Sequence, residues 1–314
     1  GFAGADDNRT FFYLTAVSAR RPNVVWRHAL GDPRSKDAHV YEDDDLLNNV
    51  GVFRSKSGKF VFIADDGYTS SQWSVIPTAS PNDAPRVIAP RKANVEYNVD
   101  HIPGAFLMVT NDGARNFKIV RIPETDFSPA RWTDWQKAND SVFVQFVEPF
   151  KDYVVVGERF GGLARLHVTN LATGAAHDVT FPEPAYGVFT ADNAEFDTKT
   201  LRFVYSSFLT PSSTFDYDMA TRARVLKKRI DVPGYDASRY RVIRLMVPVR
   251  DGVHVPVSIL VRKDWAQDGT HPMLEYAYGS YGITTEATFN SPALSLVDRG
   301  FAYAIAHVRG GAEM

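Results

Sequence analysis

Phe60-Val61-Phe62-Ile63 is an unbroken run of aromatic and β-branched residues, and the Ser57-Gly58 pair just before it can close a tight turn. That combination suits a buried β-strand entered from a hairpin. Runs of the same kind are Phe11-Phe12-Tyr13-Leu14, Phe106-Leu107-Met108-Val109, Tyr153-Val154-Val155-Val156 and Leu201-Arg202-Phe203-Val204-Tyr205. Their starts, taken in order with Phe60, lie 49, 46, 47 and 48 residues apart. This period suits one four-stranded blade of a β-propeller, with each run an inner strand.

Each unit continues alike. About a dozen residues on, Val24-Val25-Trp26, Trp73-Ser74-Val75-Ile76, Phe117-Lys118-Ile119-Val120, Leu166-His167-Val168 and Thr214-Phe215-Asp216-Tyr217 read as half-exposed strands. A third set follows, at His39-Val40-Tyr41, Arg86-Val87-Ile88, Trp132-Thr133-Asp134-Trp135, Asp178-Val179-Thr180 and Arg224-Val225-Leu226. Turn formers recur with them, as in Asp7-Asn8-Arg9, Pro103-Gly104 and Asp197-Thr198-Lys199. A solenoid is the rival architecture, but no sustained 3.6-residue apolar period precedes residue 230. Five units that start in mid-blade imply a propeller whose earlier blades precede Gly1.

Beyond Ile230-Asp231-Val232-Pro233-Gly234 the repeat stops. Val242–Val247 and Val255–Val261 flank Arg250-Asp251-Gly252, a hairpin signal. Met273–Tyr278 reads as a strand, Ala293–Arg299 as a helix ended by Gly300, and Phe301–His307 as a second strand. Strand, helix, strand is the opening of an α/β sheet. The expected organisation is a partial propeller over residues 1–230 and the first part of an α/β domain over 231–314, cut short after a strand.

With 314 residues, 44% of them hydrophobic, the chain can bury the cores of two units. Its 35 Lys and Arg against 37 Asp and Glu leave a net charge of −2, which offers neither nucleic acid nor an anionic membrane a basic field. No apolar run approaches the roughly 20 residues that cross a bilayer. The absence of cysteine excludes disulfides and a cysteine nucleophile; it fits a cytoplasmic setting and is compatible with a periplasmic one. The eight histidines form no spaced ligand set, so no metal and no other cofactor is expected.

Tyr276-Ala277-Tyr278-Gly279-Ser280-Tyr281-Gly282 and the stretch from Leu294 to Glu313, ending Ala306-His307-Val308-Arg309-Gly310-Gly311-Ala312-Glu313, resemble the oligopeptidase B branch of the prolyl oligopeptidase family. The resemblance extends back through Tyr205-Ser206-Ser207, Thr210-Pro211-Ser212-Ser213 and Asp251–Ser258, and so covers essentially the whole chain. It implies a seven-bladed β-propeller capping an α/β-hydrolase domain, a Ser-Asp-His triad between them, and hydrolysis of short peptides after Arg or Lys. Neighbouring branches imply prolyl or acylaminoacyl specificity instead. A propeller serving only as a binding platform is the non-enzymatic alternative.

An α/β-hydrolase carries its nucleophile in a Gly-x-Ser-x-Gly elbow, and that pentapeptide does not occur in these 314 residues. Nucleophile, acid and base are therefore expected outside them, with the piece inactive alone and completed by the rest of its hydrolase domain. Ser280 comes nearest, but its first glycine is one place too close. The resemblance gives Tyr278 an oxyanion-stabilising role, where the residues alone suggest a packed strand-end tyrosine. It gives Tyr281 a place lining the substrate channel, where an exposed turn aromatic is the alternative. It gives Glu286 contact with a basic substrate residue; Thr288 stands where a second acid would complete the pair, and a solvated loop residue is the alternative reading. Arg309 and Glu313 would brace the site. Glu42-Asp43-Asp44-Asp45 reads as a charged loop before it reads as a lure for basic peptides.

Overall fold

The computed structural model describes residues 1–16 and 21–313; residues 17–20 and Met314, the last residue of the expected second domain, lie outside the described residues. Five antiparallel four-stranded sheets follow one another along the chain, each with its strands in sequence order or its reverse. The first holds β1 (Phe2–Gly4), β2 (Thr10–Thr15), β3 (Val24–Ala29) and β4 (Ala38–Glu42). The second holds β5 (Asn49–Arg54), β6 (Phe60–Asp66), β7 (Ser71–Pro77) and β8 (Arg86–Val87). The third holds β9 (Tyr97–Ile102), β10 (Ala105–Thr110), β11 (Lys118–Pro123) and β12 (Thr133–Gln136). The fourth holds β13 (Val142–Pro149), β14 (Tyr153–Phe160), β15 (Leu163–Asn170) and β16 (Ala176–Asp178), and the fifth β17 (Tyr186–Thr190), β18 (Thr200–Ser207), β19 (Ser213–Asp218) and β20 (Arg224–Arg229). These blade-like groups make a partial β-propeller.

The runs that mark the repeat are the second strands, paired on both sides. Each sheet also has a strand ahead of its marking run, where the sequence pattern marks only three strands per unit. The chain forms two compact units. One is Gly1–Asp140, Phe146–Lys151 and Ala194–Thr198; the other is Ser141–Gln145, Asp152–Asn193 and Lys199–Met314.

In the first unit, alternation along β6 shows why its run is apolar throughout. Phe60, Phe62 and Ala64 join one core with Phe106, Met108 and Val120 of the third sheet, while Val61 and Ile63 join another with Ala3, Phe12 and Val25 of the first. Successive side chains point to opposite faces, so a strand covered on both sides has no polar positions left. Side chains also fasten sheet to sheet: the Tyr97 hydroxyl donates to the Ala89 carbonyl at 2.5 Å and accepts from the Trp73 amide at 2.7 Å. Within the acidic run, Asp43 accepts from the Asn48 side chain at 2.7 Å and the Asp45 amide at 2.8 Å, a loop-forming role.

The second unit ends in a different kind of sheet, ordered β21 (Tyr240–Pro248), β22 (His254–Arg262), β24 (Ala302–Ala306) and β23 (Met273–Tyr276). β21 and β22 form the expected hairpin, closed by Val249 N–H donating to the Val253 carbonyl at 2.8 Å, with Gly252 at φ +80°. β23 and β24 pair in parallel and are joined through α1 (Ser291–Val297). That helix starts two residues before the expected Ala293, because Pro292 fits a first turn and the Asn290 side chain accepts from the Ala293 amide. One face of the sheet packs Val257, Ile259, Ala302 and Ala304; the other packs Leu260 and Ile305 against α1 and against Ala185 and Phe208 near the fifth sheet.

A half-buried carboxyl in the first unit gives a pH test. Lys56 donates to Glu148 at 2.5 Å and lies 3.5 Å from the Phe150 ring centre. Burial pushes Asp100 up to about 7; the His101 amide pulls the other way, Glu148 adds to the rise, and Lys56 opposes it. A carboxyl that holds its proton to higher pH when folded contributes stability that is whole below its ordinary value of 3.8 and lost as pH rises through about 7. Asp100→Asn in the full-length protein should therefore raise Tm relative to wild type more at pH 8 than at pH 5. An equal shift at both pH values in thermal denaturation would contradict this assignment.

Candidate active site

Tyr278 follows β23 by two residues, and the segment it opens is defined by how closely two stretches of backbone approach. Gly282 N–H donates to the Gly310 carbonyl at 3.1 Å, and Gly282 and Gly311 form a parallel bridge. A Cβ on Gly310 would lie 2.0 Å from the Gly279 carbonyl oxygen, and one on Gly279 would lie 2.7 Å from Val308 and 2.8 Å from the Arg309 carbonyl. Gly279 and Gly310 also have φ of +64° and +97°. Both the space and the backbone conformation therefore require glycine, which accounts for Tyr-Gly-Ser-Tyr-Gly facing Arg-Gly-Gly.

The aromatic residues of this segment are open. Within these 314 residues Tyr278 is 47% exposed and Tyr281 76%. Tyr281 sits at φ +55°, a left-handed conformation that costs a bulky residue energy and that the surrounding fold must hold. Ser280 lies in the turn, where its carbonyl accepts from the Ile283 amide at 3.0 Å.

Glu286 is neither solvated nor free. Its Oε1 accepts from Arg159 Nη1, and Thr284 Oγ1 donates to the same oxygen at 3.2 Å; its Oε2 is buried without a hydrogen-bond partner. Gly187 of β17 leaves room for this segment, since a Cβ there would come within 2.9 Å of Thr288 and 3.0 Å of Glu286. Thr288 thus packs against the fifth sheet. The Phe289 amide donates to Ser206 Oγ at 3.0 Å.

Arg159, to which no motif in the sequence points, lies 1% exposed near the end of β14. Besides Glu286 it reaches Glu313, whose Oε2 accepts from Arg159 Nη2 at 3.2 Å and whose Oε1 accepts from the Thr285 amide at 2.7 Å. Glu313 Oε2 also meets His307 Nδ1 at 3.3 Å, and His307 Nε2 lies 2.9 Å from Ser258 Oγ. The carboxylate, which only accepts, calls for hydrogen on Nδ1, and the Ser258 hydroxyl is hydrogen-bonded to the other ring nitrogen. Ser258, His307 and Glu313 have the connectivity of a catalytic triad, but all three are buried, Ser258 completely. No substrate carbonyl can reach that hydroxyl, so the group is a strut. Arg244 completes the cluster: it donates to the Gly161 carbonyl, and burial pulls its guanidinium below the usual range, with the Arg159 cation adding to the effect. Arg309 lies outside the cluster, exposed and paired with Asp251 at 2.5 Å.

Among the described residues no group of three or more His, Asp or Glu side chains is arranged to hold a metal ion. No helix of the described residues is long and apolar enough to cross a membrane. A hollow of about 940 Å³ belongs to the first unit, lined by Leu14, Val52, Phe53, Tyr68 and Trp73, and includes no residue of the Tyr278 segment.

The five four-stranded sheets agree with a family model described as the N-terminal β-propeller domain of prolyl oligopeptidase, which matches residues 2–229. The chain belongs to the prolyl oligopeptidase family. It is 43% identical to dipeptidyl aminopeptidase BI of Pseudoxanthomonas mexicana, covering 99% of this chain and 43% of that protein. It is 31% identical to Protease 2 of Moraxella lacunata, covering 96% and 44%. Among solved structures, oligopeptidase B from Trypanosoma brucei with covalently bound antipain superposes with a TM-score of 0.87 at 32% identity, over 98% of this chain and 45% of that one. The chain thus spans less than half the length of these family members.

The glycine contact can be tested against an internal control. Gly310→Ala and Gly300→Ala both place alanine at positive φ, +97° and +92°, but only the former meets backbone; at Gly300 nothing lies within 4 Å of the added Cβ. The backbone conformation alone costs about 1–3 kcal/mol. In the full-length protein Gly310→Ala should lower Tm well beyond Gly300→Ala and open residues 278–283 to proteolysis. Equal Tm shifts would remove the close approach from the account.

Proposed function

We propose that residues 1–314 belong to a serine-type oligopeptidase that hydrolyses short peptides after Arg or Lys. In this reading the propeller occupies 1–230, the peptidase domain begins at 231, and the Ser-Asp-His triad lies outside these residues. The carrying observation is the likeness to dipeptidyl aminopeptidase BI, Protease 2 and oligopeptidase B, which runs through the mixed sheet and the Tyr278 segment as well as the propeller. The covalently bound antipain of the trypanosomal relative accords with covalent chemistry at a nucleophile.

The triad serine would attack the scissile carbonyl, and histidine would take its proton and return it to the leaving amine. Tyr278, two residues beyond β23, would donate a hydrogen bond to the carbonyl oxygen as charge develops there, a contribution greater in the transition state than in the ground state. Tyr281 would line the channel. The charge of Glu286 is taken up by Arg159, so Glu286 would shape the site beside the channel and not pair directly with a basic substrate residue. A second reading, release of dipeptides from a free amino terminus, is favoured by the 43% identity to an aminopeptidase.

The full-length enzyme should label with a fluorophosphonate and cleave Arg and Lys reporters ahead of Pro or acyl-peptide reporters. Preference for dipeptidyl reporters with a free amine over the same peptides N-blocked would select the second reading, and no labelling with no cleavage would return the propeller to a binding role. Tyr278→Phe should lower kcat about 10²-fold with little change in KM. A loss confined to KM would instead make Tyr278 a substrate-packing residue.

A further inference from the structure

We propose that Arg159 is a positioning residue for catalysis: from the fourth propeller sheet it fixes the Tyr278–Phe289 segment by clamping Glu286 and Glu313 together. This rests on the peptidase reading for its functional consequence, while the anchoring itself does not.

β14 is buried along seven of its eight residues, so a cation there has no water to turn to and needs counter-charge from another element. Arg159 finds it twice, in Glu286 on the segment after β23 and in Glu313 on the segment after β24, with Gly162 O accepting a further bond from Nη2 at 3.2 Å. Glu313 in turn holds the Thr285 amide. One guanidinium therefore ties the propeller sheet to both loops that meet at the Gly279–Gly310 contact, and the segment between Tyr278 and Glu286 is held at each end.

A buried ion network is a poor source of stability, since well-packed apolar residues of similar volume serve as well or better. What it provides is selectivity of arrangement: a displaced loop would leave Arg159, Glu286 and Glu313 buried and unpaired, so other loop positions are costly. Arg159 Nε, Arg244 Nε and Glu286 Oε2 are buried here without hydrogen-bond partners, which an element optimised only for stability would not retain. The charges within the cluster are two guanidiniums against two carboxylates, with no excess that would call for a bound ion.

The test uses the full-length enzyme with Arg159→Met, the near-isosteric Glu286→Gln, the double variant and Arg159→Lys. Steady-state kinetics on an Arg reporter are read beside Tm and hydrogen exchange of amides 282–289. Arg159→Met should lower kcat about 10²-fold, with faster exchange at Thr285 and its neighbours, and Glu286→Gln should do the same in lesser degree. Adding Glu286→Gln to Arg159→Met should change kcat by less than about threefold, the mark of a shared interaction. Arg159→Lys should restore part of kcat. If Arg159→Met does not fold, Glu286→Gln carries the test. Unchanged exchange at 282–289, or a kcat loss that disappears on cooling below each variant's Tm, would overturn the proposal. If the wild-type enzyme cleaves no reporter, the peptidase reading fails while the exchange data still decide the anchoring.

Discussion

Burial of the second strand of a sheet on both of its faces is the constraint from which much of this molecule follows. Phe60, Phe62 and Ala64 on one side of β6 and Val61 and Ile63 on the other each need a neighbouring sheet to remove them from water. A four-stranded sheet of that kind has little reason to exist alone, and repetition of the unit supplies what each copy lacks. The same double covering reaches β14 and gives Arg159 its character. On a one-sided sheet the guanidinium would lie in solvent; here it is drawn to carboxylates on the segments after β23 and β24, and the propeller acquires a polar fastening to the segment that carries Tyr278.

The marking strands are legible in the sequence because double burial leaves a continuous apolar run that needs no partner information to be seen. The strands ahead of them are not. β9 reads Tyr-Asn-Val-Asp-His-Ile and β5 contains Gly51 and ends in Arg54, patterns whose polar positions resemble loops until pairing with β10 and β6 is known. The hairpin of β21 and β22 and the strand-helix-strand that follows are legible to within two residues of their ends, because Gly252, Asn290 and Gly300 are local signals. At the site, resemblance singles out Tyr278 and Tyr281. Arg159 has a signal of its own, two charges in Val156-Gly157-Glu158-Arg159-Phe160 inside a strand, but its partners lie 127 and 154 residues away and no spacing rule reaches them.

Ser258, His307 and Glu313 carry a lesson about reading chemistry from side-chain connectivity. Serine to imidazole to carboxylate is the order that activates a nucleophile, and here it joins β22 to the loops after β23 and β24 as an internal brace. Access separates the two roles: a hydroxyl sealed beneath a sheet has nothing to attack. The open tyrosines a short way along the same segment present the opposite case, with exposure and, for Tyr281, a backbone conformation that only a well-supported loop retains.

The long reach of Arg159 also bears on how the chain is made. Translation proceeds from the N-terminus at about 5–20 residues per second, so the fourth sheet emerges complete while Glu286, 127 residues further on, and Glu313, 154 further on, are still unsynthesised. For on the order of ten seconds Arg159 is without the two carboxylates that pair with it in the folded chain. Closing of that cluster therefore waits on synthesis of the segments after β23 and β24.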